Sequence, residues 1–173
     1  DWTLGEHTVT IKETGGAGGD LKGYIYLIQR FSESTPPVND TCKTPVALDI
    51  SEGPIVIGGT TEDIMGKTLA TDASNEATCG GASGPDVVYQ LTLTERSLIN
   101  AVITAPFNAR LYLRAADCDE GESVYCGANE IQTTPLEPGD YFLFIDSDAA
   151  SQKGDFTLAV STTAALLPEY DTC

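Results

Sequence analysis

Five cysteines, a single histidine and two acidic loops are the groups in this 173-residue chain with the chemistry to bind or to react. Cys42, Cys79, Cys118, Cys126 and Cys173 nowhere show the Cys-x-x-Cys spacing of a zinc ribbon or redox site, so metal binding through sulfur is not expected. They read instead as two structural disulfides and one leftover in an oxidising, extracellular setting. Cys118 and Cys126 bracket the short acidic loop DEGESVY, and 37 positions separate Cys42 from Cys79. The first acidic loop, DCDEGESVYCGANE, offers Asp117, Asp119, Glu120, Glu122, Asn129 and Glu130; the second, DSDAASQKGD, offers Asp146, Asp148 and Asp155. Hard oxygen donors in loops suit calcium, which makes Asp117, Asp119, Glu122, Asn129, Asp146 and Asp148 candidate ligands. Neither loop has the spacing of an EF-hand, and a solvated acidic loop is the competing reading.

Catalysis finds little support in the same residues. His7 alternates with Val9 and Ile11, the pattern of a half-buried structural position, and no serine lies in a Gly-x-Ser-x-Gly turn that would let a histidine activate it. Thiol catalysis would need a free cysteine beside that same histidine. Carboxylates are too common in so acidic a chain to indicate glycoside hydrolysis. The Gly-rich segments TGGAGGD and CGGASGP lack the Gly-Lys-Ser/Thr ending of a phosphate loop. A non-enzymatic protein is expected.

The elements that must carry these groups are strands. DVVYQLTLTE places Val87, Tyr89, Leu91 and Leu93 on one face and Val88, Gln90, Thr92 and Thr94 on the other, a period of two. DFTLAVST does the same with Phe156, Leu158 and Val160, and NARLYLRAA sets Leu111 and Leu113 against Arg110, Tyr112 and Arg114. HTVTIK, GYIYLIQRF, VALDI, IVIGGTT, LINAVITA, SVYC, EIQTT and YFLFID are further candidates, punctuated by Gly, Pro, Asn and Asp. About ten short strands without a helical stripe predict an all-β protein, an antiparallel β-sandwich of jelly-roll type stapled by disulfides. Between IVIGGTT and DVVYQ runs a long stretch with no clear structure, for which Cys79 is the expected anchor.

Charge narrows the partners. With 9 basic against 26 acidic residues the formal charge is -17, so phosphate backbones and anionic membranes are repelled. No apolar run is long enough to span a bilayer, and the N-terminus shows no signal-peptide pattern. Asn39-Asp40-Thr41 forms a glycosylation sequon.

The chain also repeats itself. PPVNDTC near its start returns as LPEYDTC, with 131 positions between Cys42 and Cys173. LGEHTVTI and KGYIYLIQRF before the first phrase match, in outline, EPGDYFLFI and KGDFTLAVST before the second, aligning Gly5-Glu6-His7 with Gly139-Asp140-Tyr141 and Gly23 with Gly154. Residues 1–37 thus read as the last two strands of a preceding copy plus a linker, which fits a window on a tandem array, spare strands that complete a neighbour's sheet, or a hairpin that packs on this same domain as an extended sheet.

The ordered motifs NDTC, VIGGTT, CGGASGPDVVYQLTLTE, ARLYLRAADC, YCG, LEPGDYFLFIDS and GDFTLAVS resemble the bacterial pre-peptidase C-terminal domain, over about Val38 to Thr163. That resemblance implies a secreted, non-catalytic β-sandwich, of a kind found at the ends of extracellular hydrolases and repeated in surface proteins, some members binding calcium or polymers such as collagen. Residues 38–163 would form this sandwich and 164–173 a C-terminal linker. Spacing and resemblance together predict Cys42–Cys79 and Cys118–Cys126 disulfides, with Cys173 unpaired or bonded to another molecule. The expected function is a structural module at the cell surface or beyond it, a repeat or subunit of a fibre or adhesive protein that self-associates by exchanging the spare strands. The alternative is an accessory domain of a secreted hydrolase that binds an extracellular polymer; Tyr112 and Tyr125 are candidate aromatic contacts for either role, with ordinary strand packing as the competing reading.

Overall fold

A computed structural model describes residues 36–62, 84–120 and 123–165. The expected N-terminal strands, His7, Cys79, Glu122, Cys173 and most of the C-terminal linker lie outside them. The chain divides into two units, Asp1–Phe31 and Ser32–Cys173, and every described residue belongs to the second.

Nine strands account for the regular structure of the described residues, and none is helical. They are β1 (Val46–Ala47), β2 (Ile55–Thr60), β3 (Val87–Leu93), β4 (Ser97–Thr104), β5 (Ala109–Ala115), β6 (Ser123–Gly127), β7 (Glu130–Gln132), β8 (Gly139–Ser147) and β9 (Asp155–Ala164). One sheet runs β1-β3-β8-β5-β6 and the other β2-β9-β4-β7. From β2 to β5 the chain changes sheet at every step, β6 stays with β5, and β7 to β9 alternate again. This is the double Greek key of a jelly roll, with β1 added at one edge. The added strand departs from the expected antiparallel sandwich, because β1 runs parallel to β3, with Val46 opposite Tyr89.

The period-two patterns explain which faces meet. Tyr89, Leu91 and Leu93 of β3, Leu111 and Leu113 of β5, and Leu143 and Ile145 of β8 face Ile99 and Ile103 of β4 and Phe156, Leu158 and Val160 of β9 across one core. Gly139 and Gly154 open β8 and the approach to β9 with φ values of 155° and 135°. A side chain would strain both positions.

The outer face of the five-stranded sheet is covered as well, where alternation alone predicts solvent. Val88, Tyr112 and Phe144, from three adjacent strands, form a second small cluster under a strap that carries Cys42. Tyr112 and Phe144 stack with centroids 4.7 Å apart and planes 6° from parallel. The Arg114 guanidinium lies 4.8 Å from the Phe144 ring centroid and donates from Nη1 to the Cys118 carbonyl at 2.6 Å, so a buried cation caps the rings and holds the following loop.

Candidate functional site

The two sides of the sandwich end differently. On one side β6 and β7, the last strands of their sheets, are joined by a connection of two residues, and Thr134 donates its amide proton to the Tyr125 hydroxyl at 2.9 Å while the two hydroxyls also bond. On the other side the last strands are β1 and β2, and no described strand pairs with the free edge of either. β1 is only two residues long, a form that blunts an edge. β2 is six residues, IVIGGT, with no charge among them. Every second residue of such an edge leaves its backbone N–H and C=O without a sheet partner.

Between these edges lies a groove of about 680 Å³, within the range of peptide and small-molecule sites. Val46, Leu48, Ile55 and Ile57 line it and pack on the main core. Val38 and Val56 stand on its lips, 72% and 70% exposed. Among the described residues Asp49 is the only charged one in its lining.

Three uncharged polar residues, Asn39, Thr60 and Tyr89, also belong to the described lining. Asn39 sits on the strap, which is docked by a hydrogen bond from the Val88 amide to the Asn39 carbonyl at 2.8 Å. Its own amide Nδ2 is buried without a hydrogen-bond partner. Burial pushes the Tyr89 phenol above its ordinary pKa, and the facing Asn39 side chain draws it partly back. A Cβ on Gly59 would come within 2.5 Å of the Tyr89 hydroxyl and 2.3 Å of the Phe156 ring, so glycine is required for β2 to lie this close to both.

The cysteines correct the expected pairing. Cys42 is bonded to Cys118, 76 positions away, and not to Cys79. Cys126 is also in a disulfide, but not with Cys118. Spacing favoured a local bridge across residues 118–126, whereas the fold lays the strap over the outer sheet face, where Cys42 meets the end of β5. The Cys42–Cys118 bridge places the chain in an oxidising compartment. The strap supplies residues 37–39 to one groove wall, so the disulfide positions that wall.

The candidate calcium ligands are largely committed to other contacts. Asp117 Oδ1 accepts the amide protons of Asp119 and Glu120 at 2.9 and 2.8 Å. Asp148 takes Arg110 through both oxygens, Nε to Oδ1 at 2.7 Å and Nη2 to Oδ2 at 3.2 Å. That pairing holds the Asp148 carboxyl below its usual range and raises Arg110. Asp146 is buried, while Asp119 and Asn129 are exposed. Among the described residues no three acidic, histidine or cysteine side chains group into a metal site. Tyr112, expected as an exposed aromatic, is fully buried, and Asn39 of the sequon is only 6% exposed, so its amide is not presented for glycosylation.

The groove was not legible as a site, because an edge strand and a central strand read alike; what distinguishes β2 is its position in the sheet. The outer cluster did leave a signal, since Val88, Tyr112 and Phe144 are apolar at positions where solvent-facing strands carry polar residues.

No protein-family model matches the chain, and no curated protein does. Among solved structures, a periplasmic inhibitor of g-type lysozyme from Aeromonas hydrophila is similar, with a TM-score of 0.48 and 16% identity over 69% of this chain and 96% of that one. The pre-peptidase C-terminal domain of a collagenase from Bacillus anthracis is another, with a TM-score of 0.40 and 15% identity over 68% and 92%. The strand order itself assigns the jelly roll. Among the described residues no helix is long and apolar enough to cross a membrane.

Proposed function

We propose that this chain is a non-enzymatic extracellular structural module, a repeat or subunit of a surface fibre or adhesive protein, whose open side receives a strand from a neighbouring copy. The observation that carries this reading is the uncharged six-residue edge of β2 beside an apolar groove. Such an edge is a template for strand addition: the backbone supplies the pairing, and the groove takes alternate side chains of the incoming strand.

The repeat suggests the donor. HTVTIK and GYIYLIQRF match β8 and β9 in outline, yet β8 already lies between β3 and β5, and β9 between β2 and β4. A second pair of this kind has no vacant central place in the sandwich, which leaves the edges. The segment 22–31, KGYIYLIQRF, carries Lys22 and Arg30 and no acid, in a chain of net charge -17. A strand of that charge is attracted to such a surface, and Asp49 lies in the groove lining. If each copy gives and receives one strand, the contact is head to tail and does not close.

Sedimentation velocity and electron microscopy of the full chain, alongside Val56→Lys, test the proposal. The expected result is ordered multimers for the native chain and single copies for the variant, with little change in melting temperature because Val56 is exposed. A native chain that stays single at all concentrations and is retained on a polysaccharide or protein polymer would favour the accessory-domain reading instead.

A further inference from the structure

Among the described strands β1 holds its place by the shortest pairing. Only Val46, opposite Tyr89, and Ala47, opposite Gln90, belong to it, and β1 is the one strand that runs parallel to its neighbour. Beside that pairing, the Val88 amide donates to the Asn39 carbonyl and the Leu48 amide to the Gln90 carbonyl, both at 2.8 Å. These bonds show that alternate residues of β3 turn their backbone groups to this side, so Thr92, two residues on from Gln90, faces it too, past the end of β1. The segment also has space on both sides: Ala47, Leu48 and Asp49 line the groove towards β2 and a second hollow of about 440 Å³ that reaches Thr92 and Thr94. Inward, it supplies Val46, Leu48 and Ile50 at alternate positions to the main core. Its ends are anchored separately, at the Cys42–Cys118 bridge and at Ile55 where β2 begins, so residues 43–54 can swing out while both anchors stay.

We infer that β1 is a placeholder, and that on assembly the HTVTIK strand of a neighbouring copy takes its place against β3 while the GYIYLIQRF strand of the same copy adds to β2. This rests on the strand-accepting reading of the same open side. Topology supports the pair. β8 lies beside β3 and β9 beside β2, each antiparallel to its neighbour. Shifting such a pair sideways by two strand positions carries it past β3 and β2 with its direction, its handedness and its inward faces unchanged. HTVTIK and GYIYLIQRF, which match β8 and β9 in outline, therefore suit the open side together, one strand to each sheet. The side-chain pattern fits as well. His7, Val9 and Ile11 alternate as Val46, Leu48 and Ile50 do, so the incoming strand refills the core positions that VALDI vacates, with threonines where VALDI has Ala47 and Asp49. A two-residue parallel pairing then gives way to an antiparallel ladder, the more stable kind, that also takes up Thr92. The single copy folds with β1 in place and changes partner only when a donor is present.

Amide hydrogen exchange, compared between the assembled native chain and single copies of Val56→Lys, tests this at two amides with opposite expectations. The Leu48 amide, bonded to Gln90 in the single copy, is expected to lose protection by roughly 10-fold or more on assembly, and the Thr92 amide to gain as much. Leu48→Ala gives a second readout, because it loosens β1 from the core without touching β2. The variant should melt lower, as for any buried leucine, yet self-associate more strongly in sedimentation, by roughly 10-fold or more, since the placeholder leaves more easily. A leucine that merely shaped the groove wall would lower both stability and association. Weaker or unchanged association of Leu48→Ala would therefore overturn the inference, as would a Leu48 amide still protected, or a Thr92 amide still open, in the assembled native chain. Protection of the β2 amides in that same material would then leave strand addition standing without the exchange. Should Leu48→Ala fail to fold, the two amides of the native chain still decide. If the native chain does not assemble, both readings fall together.

Discussion

Removing the Cys42–Cys118 disulfide probes both the corrected pairing and the strap that shapes the groove. The double substitution Cys42→Ala with Cys118→Ala is preferable to either alone, because a lone thiol would be free to exchange with the disulfide at Cys126. A bridge across 76 positions is worth about 4.5 kcal/mol in the chain-entropy model. The disulfide at Cys126 already restricts the unfolded chain, so the expected loss is smaller, about 3 kcal/mol, still within the usual range for a native bridge. For a sandwich of this size that corresponds to roughly 10 °C in melting temperature. The strap also covers the Tyr112–Phe144 stack, so loosening it should weaken the near-ultraviolet circular dichroism of the tyrosines while the far-ultraviolet β signal persists. Urea denaturation of the oxidised full chain measures the loss. A change below about 1 kcal/mol would refute the reasoning, as would a non-reducing peptide map that joins Cys42 to Cys79.

Three further outcomes follow from the charges and the tyrosines. Tyr89 has its pKa raised by burial, so the unfolded chain ionises first: its contribution is fully present below about pH 10 and is lost as pH rises through the folded value. Melting curves from pH 8 to 11 should show this loss reduced in Tyr89→Phe. Asp148 has its pKa lowered by Arg110, so its contribution is present above the ordinary aspartate value of about 3.9 and disappears as pH falls through the folded one. Asp148→Asn should therefore be slightly less stable than the native chain at neutral pH and converge with it in acid, an effect kept small by solvent screening. Chelation at fixed ionic strength should leave the melting temperature unchanged, because the Asp117 and Asp148 carboxylates are already engaged; a drop would reveal a calcium ion bound to the folded state.

Most of the architecture was legible because a strand with one buried face writes its period into the sequence. Every described strand overlaps a segment picked out by alternation or by an apolar run between turn residues, although β4, β6, β8 and β9 run one or two residues past an end of theirs, and Tyr89, Leu111, Leu158 and their neighbours face the core as their spacing requires. Partner choice was less legible. The parallel placement of β1 depends on where the strap leads the chain, and the Cys42–Cys118 bond on which sheet face that strap covers. Both are long-range consequences of topology, invisible to local spacing. The burial of Tyr112 and Arg114 has the same origin: their face is the one opposite Leu111 and Leu113, as alternation requires, but a mixed face reads as solvent until some other segment is known to lie on it. The groove is the extreme case, since an open side is defined by strands that are not next to each other.

Hydrogen exchange at the backbone amides of β2, Ile55–Thr60, tests the central claim most directly. The amides that point away from β9 should exchange quickly in single copies of Val56→Lys and become protected when the native chain assembles, because they gain a strand partner only then. Protection of those amides in the isolated single copy would show that the edge is already filled, and rapid exchange in the assembled material would show that neighbours meet elsewhere; either result would contradict the strand-accepting edge.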